Sequence, residues 1–241
     1  MIEIIDGAYL ISDAHYSHKR PELLNFFKDI QNKKLQPTQL ILMGDIFDLL
    51  IGGVNKSVKT NKDIINILDE ISKNIEVIYL EGNHDFNLKY VFPNAKVFKL
   101  SQQPLKCKLI DKTVYLAHGD FNAGFSYKLY TSIIRNSMVL SFLNFINTVF
   151  SNVILKKLDI HLEKKDDCKE IKDFEEVILN RIDNMYDCDY FVEGHFHQNK
   201  SINFSEFKYL NLAAFACNQR YFIVKSSQEE LFVSKEFSKG T

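Results

Sequence analysis

Five short apolar runs in this 241-residue chain each end on carboxylate, amide or imidazole side chains. "AYLIS" runs into Asp13 and His15, and "QLILM" into Asp45 and Asp48. "EVIYL" meets Asn83, His84 and Asp85, "TVYLA" meets His118 and Asp120, and "DYFVE" meets His195 and His197. Asp13, His15, Asp45, Asn83, His118, His195 and His197 are all able to ligate a metal, and they outnumber the four ligands of a tetrahedral zinc. They suit two divalent metal ions with one carboxylate between them. With N and O donors and no thiolate, Mn²⁺ is the favoured metal, and Fe or Zn²⁺ would also fit. Two metals about 3.5–4 Å apart turn a bridging water into a nucleophile and neutralise the oxygens of a phosphoryl group.

Such a site needs a scaffold that brings five chain-distant loops together. Each run is short, β-branched or aromatic, and closed by Gly or a polar residue, the pattern of a buried strand. Helical patterns lie between them at residues 21–32, 58–73 and 169–186, the last with Ile171, Phe174, Val177, Ile178, Ile182 and Met185 on one side. Alternating strands and helices predict a layered α/β core with largely parallel strands. In such cores the loops at strand C-termini converge on one edge, where ligands bind. After residue 200, "FKYLNLAAF", "RYFIVKSS" and "EELFVSKEF" predict an antiparallel finish to a second sheet.

The bulk properties narrow the classes. A length of 241 residues suits one large domain with an insertion, and 46% hydrophobic with 25% charged residues is ordinary for a globular chain. A net charge of −1 argues against a nucleic-acid binder that works by bulk electrostatics. Cys107, Cys168, Cys188 and Cys217 are scattered, which predicts reduced, buried thiols and a cytoplasmic protein. The N-terminus has no basic start followed by an apolar signal core. His18 and His161 stand outside every motif and are expected to play no part, while Asp85 and Asp120 are expected to cap turns or support ligands.

The ordered set D-x-H, G-D-x-x-D, G-N-H-D, H-G-D and G-H-x-H resembles the calcineurin-like metallophosphoesterase family, over residues 8–120 and 188–215. The resemblance implies a four-layer α-β-β-α sandwich. It implies Asp13, His15, Asp45 and His197 on one metal, with Asp45 as bridge and Asn83, His118 and His195 on the other. His84 is implied beside the phosphate as a hydrogen-bond or proton donor, and Asp48 as the carboxylate that orients it and keeps it protonated.

A long insertion separates His118 from His195, and a helical cap is expected over residues 122–168. Residues 136–155 carry no charge. As one helix they would reach about 30 Å, bilayer length, but their Ser, Asn and Thr content argues against a spanning segment. An apolar cap face, with Phe142 and Phe145 on it, is expected to meet either the core, acyl chains or a membrane interface. Arg135, Lys156, Lys157, Lys164 and Lys165 flank it and would suit anionic head groups or a diphosphate.

The insertion, "GDIFDLLIG" and "HGD" resemble the branch of that family that hydrolyses UDP-2,3-diacylglucosamine in lipid A synthesis. That branch usually has Arg where His84 stands and H-G-H-T-H-R where this chain has "EGHFHQ". The resemblance implies an acylated sugar nucleotide substrate, cleaved to UMP and 2,3-diacylglucosamine 1-phosphate, and peripheral contact with the cytoplasmic face of the inner membrane. The alternatives are a phosphoesterase for soluble nucleotides or phosphoproteins, a nuclease, and a non-catalytic scaffold of the same fold.

Overall fold

The computed structural model describes residues 1–122, 124–162, 166–182 and 186–237. The strands are β1 (Ile2–Glu3), β2 (Tyr9–Ile11), β3 (Gln39–Leu42), β4 (Leu50–Ile51), β5 (Glu76–Leu80), β6 (Asp85–Phe86), β7 (Lys96–Phe98), β8 (Leu105–Leu109), β9 (Lys112–Ala117), β10 (Tyr190–Glu193), β11 (Lys200–Asn203), β12 (Lys208–Asn211), β13 (Arg220–Val224) and β14 (Phe232–Glu236). The helices are α1 (Glu22–Gln31), α2 (Asn55–Thr60), α3 (Lys62–Ser72), α4 (Phe125–Ile134), α5 (Ser137–Val149), α6 (Val153–Leu162), α7 (Phe174–Arg181) and α8 (Phe215–Asn218).

Two six-stranded sheets, β1-β8-β9-β10-β12-β11 and β14-β13-β2-β3-β5-β7, form the middle layers. Strands β2, β3, β5 and β7 run parallel, as do β9, β10 and β12. Leu10, Ile41 and Ile78 of one sheet pack with Leu109, Val114, Leu116 and Val192 of the other, making a dry layer between them. On the outer face of the second sheet, Ile11, Leu40, Leu42 and Val77 pack against Leu23, Phe26 and Phe27 of α1 and Ile64 and Leu68 of α3. On the outer face of the first, Phe191 and Tyr209 pack against Phe174 and Ile178 of α7. The order is helix, sheet, sheet, helix, as expected. Residues alternate between two buried faces, which is why β3 is apolar almost throughout instead of alternating with polar residues.

Several local expectations are corrected. Of the strands after residue 200, only β13 and β14 finish the second sheet; β12 joins the first, parallel to β10 and antiparallel to β11. The helix expected over residues 169–186 is α7 alone, beginning after Asp173, whose φ of 53° lies in the left-handed region; Met185 is outside the described residues. Residues 136–155 are not one helix. Ser151 and Asn152 adopt φ values of 54° and 61°, and α5 and α6 meet at 99°. No single helix among the described residues is long and apolar enough to cross a membrane. The thiols are not all reduced: Cys168 and Cys217 form a disulfide, while Cys107 and Cys188 are free and buried as expected.

Helices α4, α5 and α6 rest on the short parallel pair β4–β6 through a small apolar seam of Ile51, Val54, Phe86, Leu140 and Leu155. The seam is small because most of the cap's apolar side chains face outward: Met138, Phe142, Phe145 and Phe150 are 77%, 63%, 65% and 63% exposed.

Candidate metal and phosphoester site

The loops leaving β2 and β3 keep pairing beyond the strands, Asp13 N–H donating to Gly44 O (3.1 Å) and His15 N–H to Asp45 O (3.0 Å). That pairing fixes Asp13 and His15 beside Asp45. Within the first sheet, Gly194 N–H continues the β9–β10 pairing by donating to His118 O at 2.9 Å, and across the sheets His195 N–H donates to Asp13 Oδ2 at 2.9 Å. Two glycines make this approach possible. Gly44, at φ +90°, would put a Cβ 2.5 Å from His118 Nδ1, and a Cβ on Gly194 would fall 2.4 Å from Asp13 Oδ2.

Asp13, His15, Asp45, His195 and His197 all have positive φ, between 43° and 64°. Outside glycine that conformation costs roughly 1–2 kcal/mol per residue. Such strain concentrates where a site over-determines the backbone. Here it turns five donor side chains inward from loops that would otherwise diverge.

The donors fall into overlapping groups whose atoms lie within 4.8 Å of one another: Asp13, His15 and His197; His15, Asp45 and His84; and Asp45, His118 and His195. Asp45 belongs to two of them. Its Oδ2 lies 3.4 Å from His118 Nε2 and 3.9 Å from His84 Nε2, and its Oδ1 accepts from His84 N–H at 2.8 Å. Asn83 Oδ1 is 3.3 Å from His118 Nε2. The residues expected to share a metal are therefore neighbours in space.

Three imidazoles are oriented alike. His118 Nδ1 lies 3.0 Å from Met43 O and His84 Nδ1 lies 2.9 Å from Asp48 O, and His197 Nδ1 contacts Asp167 O. A carbonyl oxygen only accepts, so each Nδ1 carries the proton and each Nε2 is turned toward the carboxylates, the arrangement that second-sphere contacts impose on metal-binding histidines. His195 is neutral in ordinary conditions: burial, aided by the charge on His118, brings its pKa down to about 4. Burial alone would also lower that of His118, but the Asp45 carboxylate outweighs it and drives it well up. Burial would raise the Asp13 pKa, and the His197 charge overrides it and holds the carboxylate ionised.

The donor set fits divalent metals. Asp13 Oδ1 and both ring nitrogens of His15 are buried and have no hydrogen-bond partner among the described residues. Asp13 Oδ1 does lie 3.0 Å from His197 Nε2, off the alignment of a hydrogen bond. Buried orphan acceptors are costly unless an ion or water meets them. Cation ligation would satisfy Asp13 Oδ1 and one ring nitrogen of His15, the other nitrogen of a neutral imidazole being the one that carries the proton.

One expected contact differs. The Asp48 group that meets His84 is its backbone carbonyl, while its carboxylate Oδ1 lies 3.4 Å from His15 Nδ1 and 4.0 Å from Arg20. Asp85 is a turn cap, as expected, accepting from Gly82 N–H (2.9 Å), Asp45 N–H (3.0 Å) and Ile46 N–H (2.7 Å). Asp120 accepts from Tyr127 of α4 at 2.8 Å.

Beside Asn83 and His84 opens a cavity of about 600 Å³, walled by apolar residues of the cap and the β4–β6 pair, among them Leu49, Ile51, Leu143, Ile154, Leu155 and Leu158. Lys157 lines it too, as does His161, which the sequence left without a role. Phe142 and Phe145 are not among its lining residues, and they and Lys156 are exposed. Leu140, Leu143, Asn144 and Asn147 form the face of α5 turned to the cavity, and Phe142 and Phe145 lie on another face of the same helix. Lys164 and Lys165 lie outside the described residues. Arg135 is not a solvated edge: it pairs with buried Glu81 at 3.1 Å. The sequence offered no signal for that pairing, since Glu81 reads as one more strand-end acid.

A family model for calcineurin-like phosphoesterases matches residues 8–199. A UDP-2,3-diacylglucosamine hydrolase of Haemophilus influenzae is 33% identical over 116 residues, covering 47% of this chain and 48% of that one. This chain thus spans about half the length of that relative. A UDP-2,3-diacylglucosamine hydrolase of Hamiltonella defensa is 24% identical, covering 78% of this chain and 76% of that one. The corresponding hydrolase of Pseudomonas fluorescens is 26% identical with 78% of each chain covered.

Proposed function

We propose, for a chain that belongs to the calcineurin-like phosphoesterase family, a dinuclear metal-dependent hydrolase of a lipid-bearing pyrophosphate. The observation that carries the reading is the position of the apolar cavity, which opens directly onto Asn83 and His84 of the metal-donor cluster. A substrate with acyl chains on one side of a phosphate and a polar group on the other would place the phosphate at the donors. UDP-2,3-diacylglucosamine, the substrate for which the relatives are named, has that form. Water would add to one phosphorus, and the bridging oxygen would leave on the other, giving UMP and 2,3-diacylglucosamine 1-phosphate.

Asp13, His15, Asp45 and His197 would hold one metal, and Asp45, Asn83, His118 and His195 the other; Mn²⁺ is proposed, on the N/O donor set. When bound, the pair supplies a water of lowered pKa and positive charge for the phosphoryl oxygens. The chain's own contribution is orientation. Asp48 O fixes the His84 ring so that its Nε2 faces the cluster, where a protonated ring would donate to a phosphoryl oxygen or the leaving oxygen. The cavity would shield acyl CH₂ groups, each worth about 0.8 kcal/mol when taken out of water. The exposed Phe142, Phe145 and Phe150 would rest at a membrane interface while the substrate is drawn from it.

His84 itself favours a second reading, a soluble phosphoester substrate, since it stands where the lipid A branch usually has Arg, and a fixed cation suits a diphosphate better. The test is to load the purified protein with Mn²⁺ and offer UDP-2,3-diacylglucosamine beside a panel of soluble nucleotides and phosphopeptides. Release of UMP from the lipid nucleotide, preferred over the panel, supports the first reading. Preference for a soluble ester supports the second. Turnover of nothing by metal-loaded protein would point to a scaffold.

A further inference from the structure

Arg135 follows α4 directly, and its side chain turns back under the cap. Nη2 donates to Gly82 O at 2.7 Å and Nη1 to Glu81 Oε2 at 3.1 Å. The guanidinium lies over the Phe86 ring, 4.9 Å from its centroid, and the Arg135 carbonyl accepts from Asn87 Nδ2 at 3.0 Å. These four partners bracket Asn83, His84 and Asp85 on both sides. A single cap residue therefore holds both ends of the loop that presents the phosphate-facing side chains.

The loop's far end is anchored to the same pair. Glu81 is fully buried, its Oε1 accepts from Leu88 N–H at 2.8 Å, and its carbonyl accepts from Gln103 Nε2 at 2.8 Å. Gln103 in turn accepts from His118 N–H through Oε1 at 2.6 Å. Without the guanidinium, Glu81 would be a buried carboxylate lacking its cation, an arrangement that is strongly destabilising. A lysine would not replace it fully, because one ammonium cannot reproduce a planar fork that meets a carboxylate and a carbonyl while stacking on a ring.

We propose that Arg135 is a positioning residue: it fastens the cap to the Gly82–Asn87 loop and so sets where Asn83 and His84 stand relative to Asp45. The inference rests on the phosphoesterase reading above for its kinetic consequence, though not for its structural one. The cap is then more than a lipid-binding wall. Loosening the clamp slows the chemistry even for a small substrate with no acyl chains to place in the cavity, because misplacing a reacting group by about 1 Å costs on the order of 10²-fold.

The experiment compares wild type, R135K, R135M and E81Q. Each is loaded with Mn²⁺ and assayed on bis(p-nitrophenyl) phosphate, with metal content, thermal melting and amide hydrogen exchange measured alongside. For R135M the expected result is a kcat lower by roughly 10–100-fold with KM little changed, and faster exchange of the amides of residues 83–86. R135K should regain part of kcat, and E81Q should show a smaller loss of the same kind. If R135M fails to fold, R135K decides the matter, and wild-type kcat in R135K overturns the proposal. So does R135M with wild-type kcat and loop exchange but raised KM for the lipid nucleotide alone, since Arg135 would then only wall the cavity. If wild type itself hydrolyses no phosphoester, the functional reading has failed separately. Exchange of the loop amides then decides the clamp alone, faster exchange in R135M upholding it and unchanged exchange overturning it.

Discussion

Asp45 is where the site's geometry is most concentrated, since one carboxylate faces His118 and His84 and fixes the His84 backbone. Asp45→Asn removes the negative charge and puts an NH₂ donor in place of one carboxylate oxygen, where cations need an anion. The expected outcome is loss of turnover together with loss of bound metal, in a chain whose circular dichroism is unchanged; metal analysis of the purified variant is the check. A variant that keeps full metal content and full activity would end the two-metal reading. His84 makes the opposite prediction. It is held by a carbonyl contact and belongs to the phosphate side of the proposed arrangement, so His84→Ala should leave metal content near wild type. Its kcat should fall by roughly 10²–10⁴-fold, the range for a positioned acid or base, and metal loss instead would make it a ligand. Both residues were legible from sequence because D-x-H, G-D-x-x-D and G-N-H-D place donors right after apolar runs. The contact from His84 to the Asp48 carbonyl was not legible, since a backbone group leaves no mark in residue identity.

At the scale of elements, α5 and α6 divide the cap's apolar residues into two populations with different expected roles. Leu143 and Leu158 line the cavity, whereas Phe142 and Phe145 face outward. Leu143→Asp should therefore raise KM for the lipid nucleotide at least tenfold, because a charge in an apolar wall costs several kcal/mol. It should leave bis(p-nitrophenyl) phosphate hydrolysis within about twofold of wild type. Phe142→Ser with Phe145→Ser should leave both soluble assays alone and reduce sedimentation with vesicles containing anionic phospholipid. Equal loss on every substrate would mean that the helices are core and that the variants have unfolded. The sequence showed one uncharged run and suggested one helix face. Ser151 and Asn152, in the left-handed region, end α5 and redirect the chain, and α6 then brings Ile154, Leu155 and Leu158 to the cavity beside Leu143.

For the whole molecule, the disulfide joins the chain following the cap to α8, whose first residues pair with the Ser12 and Asp13 carbonyls. Asp167, adjacent to Cys168, offers the carbonyl that orients His197 and an ion pair to Arg20 at 2.6 Å. Cross-linking across 49 residues restricts the unfolded chain, and such bonds stabilise by about 2–4 kcal/mol. Cys168→Ser with Cys217→Ser is expected to lower the melting temperature by several degrees, measured without reductant. An unchanged melting temperature would show that the bond contributes nothing to the folded state.

Strand positions, the parallel core and the seven candidate donors that the fold gathers at one edge were legible in the sequence, because periodicity, β-branching and residue type are local properties. A strand buried on both faces must be apolar throughout, and a donor at its C-terminal end needs no distant information to be recognised. The tertiary structure decided what depends on two distant segments meeting. It placed β12 in the first sheet, bent residues 136–155 at 99° and joined Cys168 to Cys217. It also buried Glu81 against Arg135, so that a charge at the foot of the cap became part of the loop carrying His84. Partners separated by 54 residues are chosen by packing and by the cost of leaving a buried charge alone, and neither is written in the residues nearby.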